Sequence, residues 1–311
     1  MKTLTVDIGG TNIQYAVIDE NDEIDYFYEY PTHASQGGRQ IIRRLAEELR
    51  PHMDEVAAIG ISTANQVDSK TGVIIYANDN IPDYTGTPVK AILEEKLAVP
   101  VIVENDVNAA AIGEREFGSH EGLEDFIMLT YGTGVGGAIL LNGKLYKGSN
   151  SGAGEFGHII THIDGVRCNC GQFGCYERYA STQALVYQAK KIEPLYDNGK
   201  IIMKALEEGK DAGLTAIYHD WIHEISQGLI TIIVSLQPGR ILLGGGIMEN
   251  SQVVADIEED IKKTLMSSFS HVSIQSASLG NKAGLYGMLH LARDLVKKIK
   301  LHRESYKGEF K

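Results

Sequence analysis

All three cysteines of this 311-residue chain, Cys168, Cys170 and Cys175, fall within eight consecutive positions. Thiolates spaced this way offer the soft ligands that zinc takes in tetrahedral sites. His158, upstream of them, supplies a nitrogen for a Cys3His set, and His162 is the rival for that fourth place. Gly171 and Gly174 lie between the cysteines and suit a tight turn around a metal. An odd number of cysteines in one short loop makes a poor disulfide framework, and an iron–sulfur cluster would normally require a fourth cysteine. A structural Zn2+ is therefore expected.

Glu104-Asn105-Asp106 ends the compact apolar strand Val101–Val103 and opens an alanine-rich helix from Val107 to about Phe117. Polar groups at the carboxyl end of a strand are where α/β sheets place ligand chemistry. An aspartate at such a junction also has a plain structural use as a helix N-cap. Two glycine loops share one outline: strand Thr3–Ile8 leads into Gly9-Gly10-Thr11 and a second strand, and Phe126–Thr130 leads into Gly132-Thr133-Gly134 and another. Backbone N–H groups without a Cβ in the way can approach phosphate oxygens closely, and the threonine hydroxyls add donors. Gly132, Gly134 and Gly137 match G-x-G-x-x-G, but strand Ala138–Leu141 and the Asn142-Gly143 turn follow where a dinucleotide fold needs a helix. The G-x-x-x-x-G-K-[ST] phosphate loop is absent. After strand Arg240–Leu243, Gly244-Gly245-Gly246 presents bare backbone against which a base or ribose can lie.

The elements that must position these groups alternate between strand and helix along the chain. Helical spacing is expected at Gln40–Leu49, Val89–Leu97, Thr182–Lys191, Leu214–Leu236, Asp256–Met266 and Lys282–Lys298, with a frayed polar tail from Leu301. The length and 43% hydrophobic content support two lobes, with a boundary near Gly118–Glu124. Twenty-nine basic against 41 acidic residues give a formal charge of −12, which argues against a nucleic-acid partner. It leaves room for a nucleotide substrate, whose phosphates can be held by backbone N–H groups and magnesium. No signal-peptide pattern or membrane-length apolar run is read, so a cytoplasmic protein without a membrane partner is expected.

Three separated motifs together resemble the ROK family of sugar kinases and repressors, within the actin-like ATPase and hexokinase superfamily. They are DIGGTN at Asp7–Asn12, VENDVNAAA at Val103–Ala111, and GEFGH continuing into CNCGQFGCYE. The resemblance implies a two-lobed actin-like ATPase (ribonuclease H-like) α/β fold with a cleft. The small lobe would be residues 1–118 plus a C-terminal helix at about 290–311, and the large lobe 119–289 with the zinc site. The implied activity is transfer of the ATP γ-phosphoryl to the 6-hydroxyl of a hexose, glucose first. N-acetylmannosamine, another N-acetylhexosamine or a β-glucoside are the alternatives. Asp106 matches the family's catalytic base; Asn65, Asn105, Glu155, His158 and Glu177 match or adjoin sugar-binding positions. Asp7, Gly9, Gly10, Thr11, Thr133, Gly134, Gly245 and Gly246 match the MgATP region, and His158, Cys168, Cys170 and Cys175 the zinc ligands. A homodimer or homotetramer is implied. The sugar-sensing repressor branch is disfavoured by the acidic charge and by the glycine motif beginning at Asp7; a non-catalytic sugar-binding protein is the remaining alternative. The sequence departs from the family at Ala64-Asn65, where Pro-Gly is common, and at Asn12, where a lysine is frequent.

Overall fold

The computed structural model describes residues 1–308 apart from Asp79, Glu121 and Lys210. The last residues of the expected C-terminal helix, 309–311, lie outside the described residues. The chain divides into two compact units. The first comprises Met1–Glu121, Lys147–Gly152 and Lys282–Lys311, and the second Gly122–Tyr146 and Ala153–Asn281.

In chain order the first unit opens with β1 (Lys2–Ile8), β2 (Asn12–Ile18), β3 (Ile24–Pro31), α1 (Gly38–Leu49), β4 (Val56–Thr63), β5 (Gln66–Asp68) and β6 (Val73–Tyr76). It continues with α2 (Val89–Leu97), β7 (Val101–Asn105) and α3 (Asp106–Phe117). The second unit contains β8 (Phe126–Tyr131), β9 (Val135–Leu141), β10 (Lys144–Leu145), α4 (Glu177–Ala180), α5 (Thr182–Ala189) and α6 (Gly199–Glu208). After them come α7 (Ala212–Leu236), β11 (Arg240–Gly244), α8 (Ser251–Thr264) and β12 (Ser273–Ser276), and α9 (Ala283–Gly308) belongs again to the first unit.

The glycine-loop echo extends to whole sheets. The first unit's sheet runs β3-β2-β1-β4-β7 and the second's β10-β9-β8-β11-β12. In each, the strand before the glycine loop is the central one, paired antiparallel on one side with the strand after the loop and parallel on the other with β4 or β11. The central strands are buried on both faces: Leu4, Val6, Ile8, Ile59, Ile61 and Val103 enter one core and Ile127, Leu129, Ile241 and Leu243 the other, while Thr5, Ala58, Met128 and Leu242 are buried on the opposite faces of their strands.

Helix α3, which starts at the polar junction, packs closely on α9. A Cβ on Gly113 would sit 2.1 Å from the Ala283 carbonyl oxygen, and one on Gly287 1.8 Å from that of Ala109. Only glycine permits backbones this near, so the crossing fixes the height and angle at which α3 presents its first residue. Strands β5 and β12 and helix α6 carry no counterpart in the sequence reading. The first two are too short for their periodicity to register, and α6 follows a polar loop whose Asn198 cap only the structure reveals. The last helix runs to Gly308, well past Lys298. Among the described residues, no helix is long and apolar enough to cross a membrane.

Candidate active site and metal centre

In the first unit the junction of β7 and α3 is held by a network centred on Asn105 and Glu104. Asn105, and not Asp106, is the N-cap: its Oδ1 accepts from the N–H groups of Val107 and Asn108, both at 3.0 Å. Its Nδ2 donates to the Asn65 carbonyl oxygen (3.1 Å) and to Asp106 Oδ1 (2.9 Å). Asp106 is the first helical residue, half-buried, with Oδ1 also accepting from Val107 N–H. Capping thus does not account for the aspartate, since its neighbour does that work. The amide of Asn105 is saturated by protein partners, so a sugar hydroxyl at this side chain would replace one of them.

Asn65 has φ of 81°, in the left-handed region that asparagine tolerates better than most residues. The conformation a glycine would adopt freely is retained here by a residue that also pairs: Oδ1 accepts from Asn78 N–H at 3.2 Å.

At the first glycine loop, Gly9 N–H donates to the Asn12 carbonyl oxygen (3.0 Å), and Thr32 Oγ1 donates to that of Gly9 (2.6 Å). Gly10 and Thr11 are exposed at its tip. Asn12 turns away from the loop, donating Nδ2 to Glu29 Oε1. Asp7 accepts from Ser62 Oγ (2.8 Å) and Gln14 Nε2 (3.2 Å). Burial raises its carboxyl above the ordinary aspartate range, partly opposed by those two hydrogen bonds.

The second unit gathers the thiols. The ligand atoms of His158, Cys168, Cys170 and Cys175 all lie within 4.8 Å of one another. Cys170 and Cys175 Sγ are 3.5 Å apart, and Cys168 Sγ is 3.7 Å from His158 Nδ1. Tetrahedral zinc with Zn–S of about 2.3 Å holds its sulfurs roughly 3.8 Å apart, so the set fits that ion in number, type and spacing. His162 is not in the cluster. Its ring stacks on Tyr179 with centroids 3.8 Å apart, and its Nε2 lies 3.3 Å from Glu224 Oε1. Burial pushes the Cys175 thiol up to about 11 and that of Cys168 higher still. Binding a metal would therefore displace thiol protons.

Two carboxylates flank the cluster. Glu155 Oε2 is 3.9 Å from His158 Nε2, the ring nitrogen opposite the one at the sulfurs. Glu177 Oε1 accepts from Cys168 Sγ at 3.0 Å, while its Oε2 lies 2.4 Å from where a Cβ on Gly134 would be. Glu177 thus touches both the thiol cluster and the second glycine loop. Behind them the cysteine segment is tied to the core: Tyr176 is fully buried, donating to the Ile225 carbonyl oxygen and meeting Tyr131 Oη, each at 2.9 Å.

A cavity of about 800 Å3 opens beside the same loop. Its lining includes Gly132, Thr133, Gln183, Lys190, Lys200 and Gly246. Gln183 N–H donates to the Gly132 carbonyl oxygen (3.1 Å), and Thr182 Oγ1 to that of Tyr131 (3.0 Å), pinning the loop to the start of α5. Gly246 leaves its Cβ side open to the cavity, as the bare backbone after β11 suggested; Gly245 has a different reason. With φ of 100°, it presses so closely on Tyr131 that a Cβ would lie 2.2 Å from the carbonyl oxygen. The cavity thus brings Thr133 together with Gly246 across more than a hundred residues of sequence. Lys200 was missed in the sequence because α6 was, whereas Lys190 closes the expected helix Thr182–Lys191 and its place in the cavity shows only in the fold.

The chain matches the ROK family over residues 3–295. The chain belongs to the ROK family. A glucokinase of Streptomyces coelicolor is 34% identical to this ROK protein over 313 aligned residues, covering 94% of this chain and 98% of that one. An N-acetylmannosamine kinase of Haemophilus influenzae is 27% identical, with 95% and 97% covered. Among solved structures, a ROK family glucokinase from Streptomyces griseus in complex with glucose and AMPPNP superposes with a TM-score of 0.83 at 32% identity, covering 94% of this chain and all of that one. The expected fold class, the two-lobed actin-like ATPase α/β fold, holds for this ROK protein.

Proposed function

We propose that this ROK protein is an ATP-dependent sugar kinase that transfers the γ-phosphoryl group to the 6-hydroxyl of a hexose, with glucose the preferred acceptor. The observation that carries the reading is the pair of anchored carboxylate sets. Asp106 sits at the tip of a capped helix, and Glu155, His158 and Glu177 surround a thiol cluster suited to zinc. Relatives bearing the names glucokinase and N-acetylmannosamine kinase support the class, and the glucose and AMPPNP of the Streptomyces griseus complex support the two substrates.

In this reading Asp106 takes the proton of the attacking hydroxyl, because phosphoryl transfer leaves little else for the protein to do than position and neutralise charge. Asn105 holds that carboxylate, the Asn65 carbonyl holds the Asn105 amide, and the two asparagines line the acceptor side. Glu155 and Glu177 accept from sugar hydroxyls, and His158 presents one nitrogen to the metal and the other outward. Zn2+, when bound, supplies a rigid tetrahedral anchor and no proton chemistry. Gly10, Thr11, Thr133 and Gly134 offer N–H and hydroxyl donors to phosphate, Gly9, whose N–H is bonded to the Asn12 carbonyl oxygen, shapes the first loop, and Gly245 and Gly246 back the adenosine. Asp7 stands near the Mg2+ that accompanies ATP, an ion held mainly by phosphates and water.

The test is ADP production from MgATP with purified protein across glucose, mannose, fructose, N-acetylglucosamine and N-acetylmannosamine. Turnover with glucose at the highest kcat/KM is expected. No ADP with any of them would overturn the reading, and a preference for N-acetylmannosamine would replace the acceptor while keeping the class.

Asp7 gives a second check. Its carboxyl is raised by burial, so its ionised form opposes folding: the folded state holds the proton more tightly, and stability is lost as pH rises through the folded value. Asp7→Asn should therefore raise Tm at pH 7.5 while lowering activity with MgATP, and the Tm gain should shrink toward pH 4. A Tm that falls at pH 7.5 would contradict this.

A further inference from the structure

The buried carboxylate of Glu104 belongs to none of the roles above, yet it is 1% exposed and completely satisfied. Its Oε1 accepts from Asn105 N–H (3.0 Å) and Asn108 Nδ2 (3.0 Å). Its Oε2 accepts from Ser69 Oγ (2.9 Å) and pairs with Lys147 Nζ, which also donates to Ser69 Oγ at 2.7 Å. Lys147 is the cation paired with this carboxylate among the described contacts. It stands on the short segment Lys147–Gly152, which packs with the first unit although the residues before and after it belong to the second.

We infer that Lys147, acting through Glu104 and Ser69, is a positioning residue that sets the geometry of Asn105 and Asp106 for proton transfer. The inference rests on the kinase reading. The chain of contacts is short: Lys147 neutralises Glu104, Glu104 fixes the Asn105 backbone and the Asn108 side chain, and Asn105 caps α3 and hydrogen-bonds Asp106 Oδ1. A carboxylate this deeply buried holds its place only while its charge is compensated. Without the ammonium group, Glu104 is a buried charge without compensation, drawn toward solvent, and the strand end that carries Asn105 moves with it. The segment that bears Lys147 also runs on in sequence, within eight residues, to Glu155.

Lys147→Met, assayed with glucose and MgATP, should lower kcat by about 10- to 100-fold, the scale of a small misplacement of catalytic groups, with KM for MgATP little changed. Lys147→Arg should keep most of kcat, since it retains charge and donors. In Lys147→Met/Glu104→Gln the amide can still accept from Asn105 and Asn108 and donate to Ser69, so the double variant should recover much of the lost kcat. Circular dichroism melting fixes the folded fraction of each. Should Lys147→Met fail to fold, the double variant against Glu104→Gln alone reads the same coupling. Wild-type kcat in folded Lys147→Met, or a loss that merely follows the folded fraction and is not rescued, would overturn the inference. If the wild-type protein forms no ADP with any of the sugars, the kinase reading itself has failed; if Asp106→Asn is inactive and Lys147→Met is fully active, only the positioning role has.

Discussion

Asp106→Ala is expected to lower kcat for glucose phosphorylation by about 10²- to 10⁴-fold, the usual worth of a positioned general base. Its glucose dissociation constant should stay nearly constant, because the group removed acts on the proton of the reacting hydroxyl more than on ground-state binding. The fold should survive the change. Asn105 caps α3 through its own side chain, so the cost is moderate: a carboxylate lost from the first turn, about 0.3–1 kcal/mol of helix-dipole stabilisation, together with the hydrogen bond that it accepts from Asn105 Nδ2, about 1 kcal/mol. Initial-rate kinetics, calorimetric titration with glucose and a thermal melt separate these quantities. A turnover number within a fewfold of wild type would remove Asp106 from the role of base, and a collapse in Tm would return it to a structural one.

The second large effect concerns the thiol cluster. Protein purified without chelators should carry about one zinc per chain, and Cys175→Ser should abolish it, since a hydroxyl cannot replace a thiolate in a tetrahedral sulfur-rich set. Glucose affinity should fall with the metal by about 10- to 100-fold, as happens when the surroundings of a metal ligand are disturbed. The reason lies in the contacts. His158 joins Cys168 on one side and Glu155 on the other, and Glu177 accepts from Cys168 while resting on Gly134. At saturating glucose, kcat should change much less, because Asp106 lies in the other unit with its own supports. Elemental analysis and calorimetry check both halves. Absence of zinc in the wild-type protein would contradict the metal assignment. An unaltered glucose affinity in zinc-free Cys175→Ser would separate the metal from the sugar.

The local motifs were legible because local physics writes them. Apolar runs that end in Gly-Gly-Thr or in Gly-Thr-Gly and then resume as strands can only be hairpin loops, and both sheets are built that way. A run of alanines after Glu-Asn-Asp reads as a helix that begins at a polar junction, and α3 does so. The shorter elements were not legible. β12, with only Ser273–Ser276, is held by its parallel neighbour β11 more than by any pattern of its own.

By itself, then, the sequence determined the alternation of strand and helix, the two glycine loops and a soft set of three thiols with a nearby histidine, because each depends on residues within about twenty positions of one another. Only the tertiary structure decided between His158 and His162, by stacking His162 on Tyr179 beside Glu224. It gave the capping role to Asn105 in place of Asp106, joined Thr133 to Gly246 in one cavity, and set Lys147 against Glu104. Apart from the Asn105 cap, which is local, those pairings span tens to more than a hundred residues of sequence, and residue type alone carries no record of them. They exist because buried charge and buried backbone groups must find partners wherever the packed strands and helices bring them.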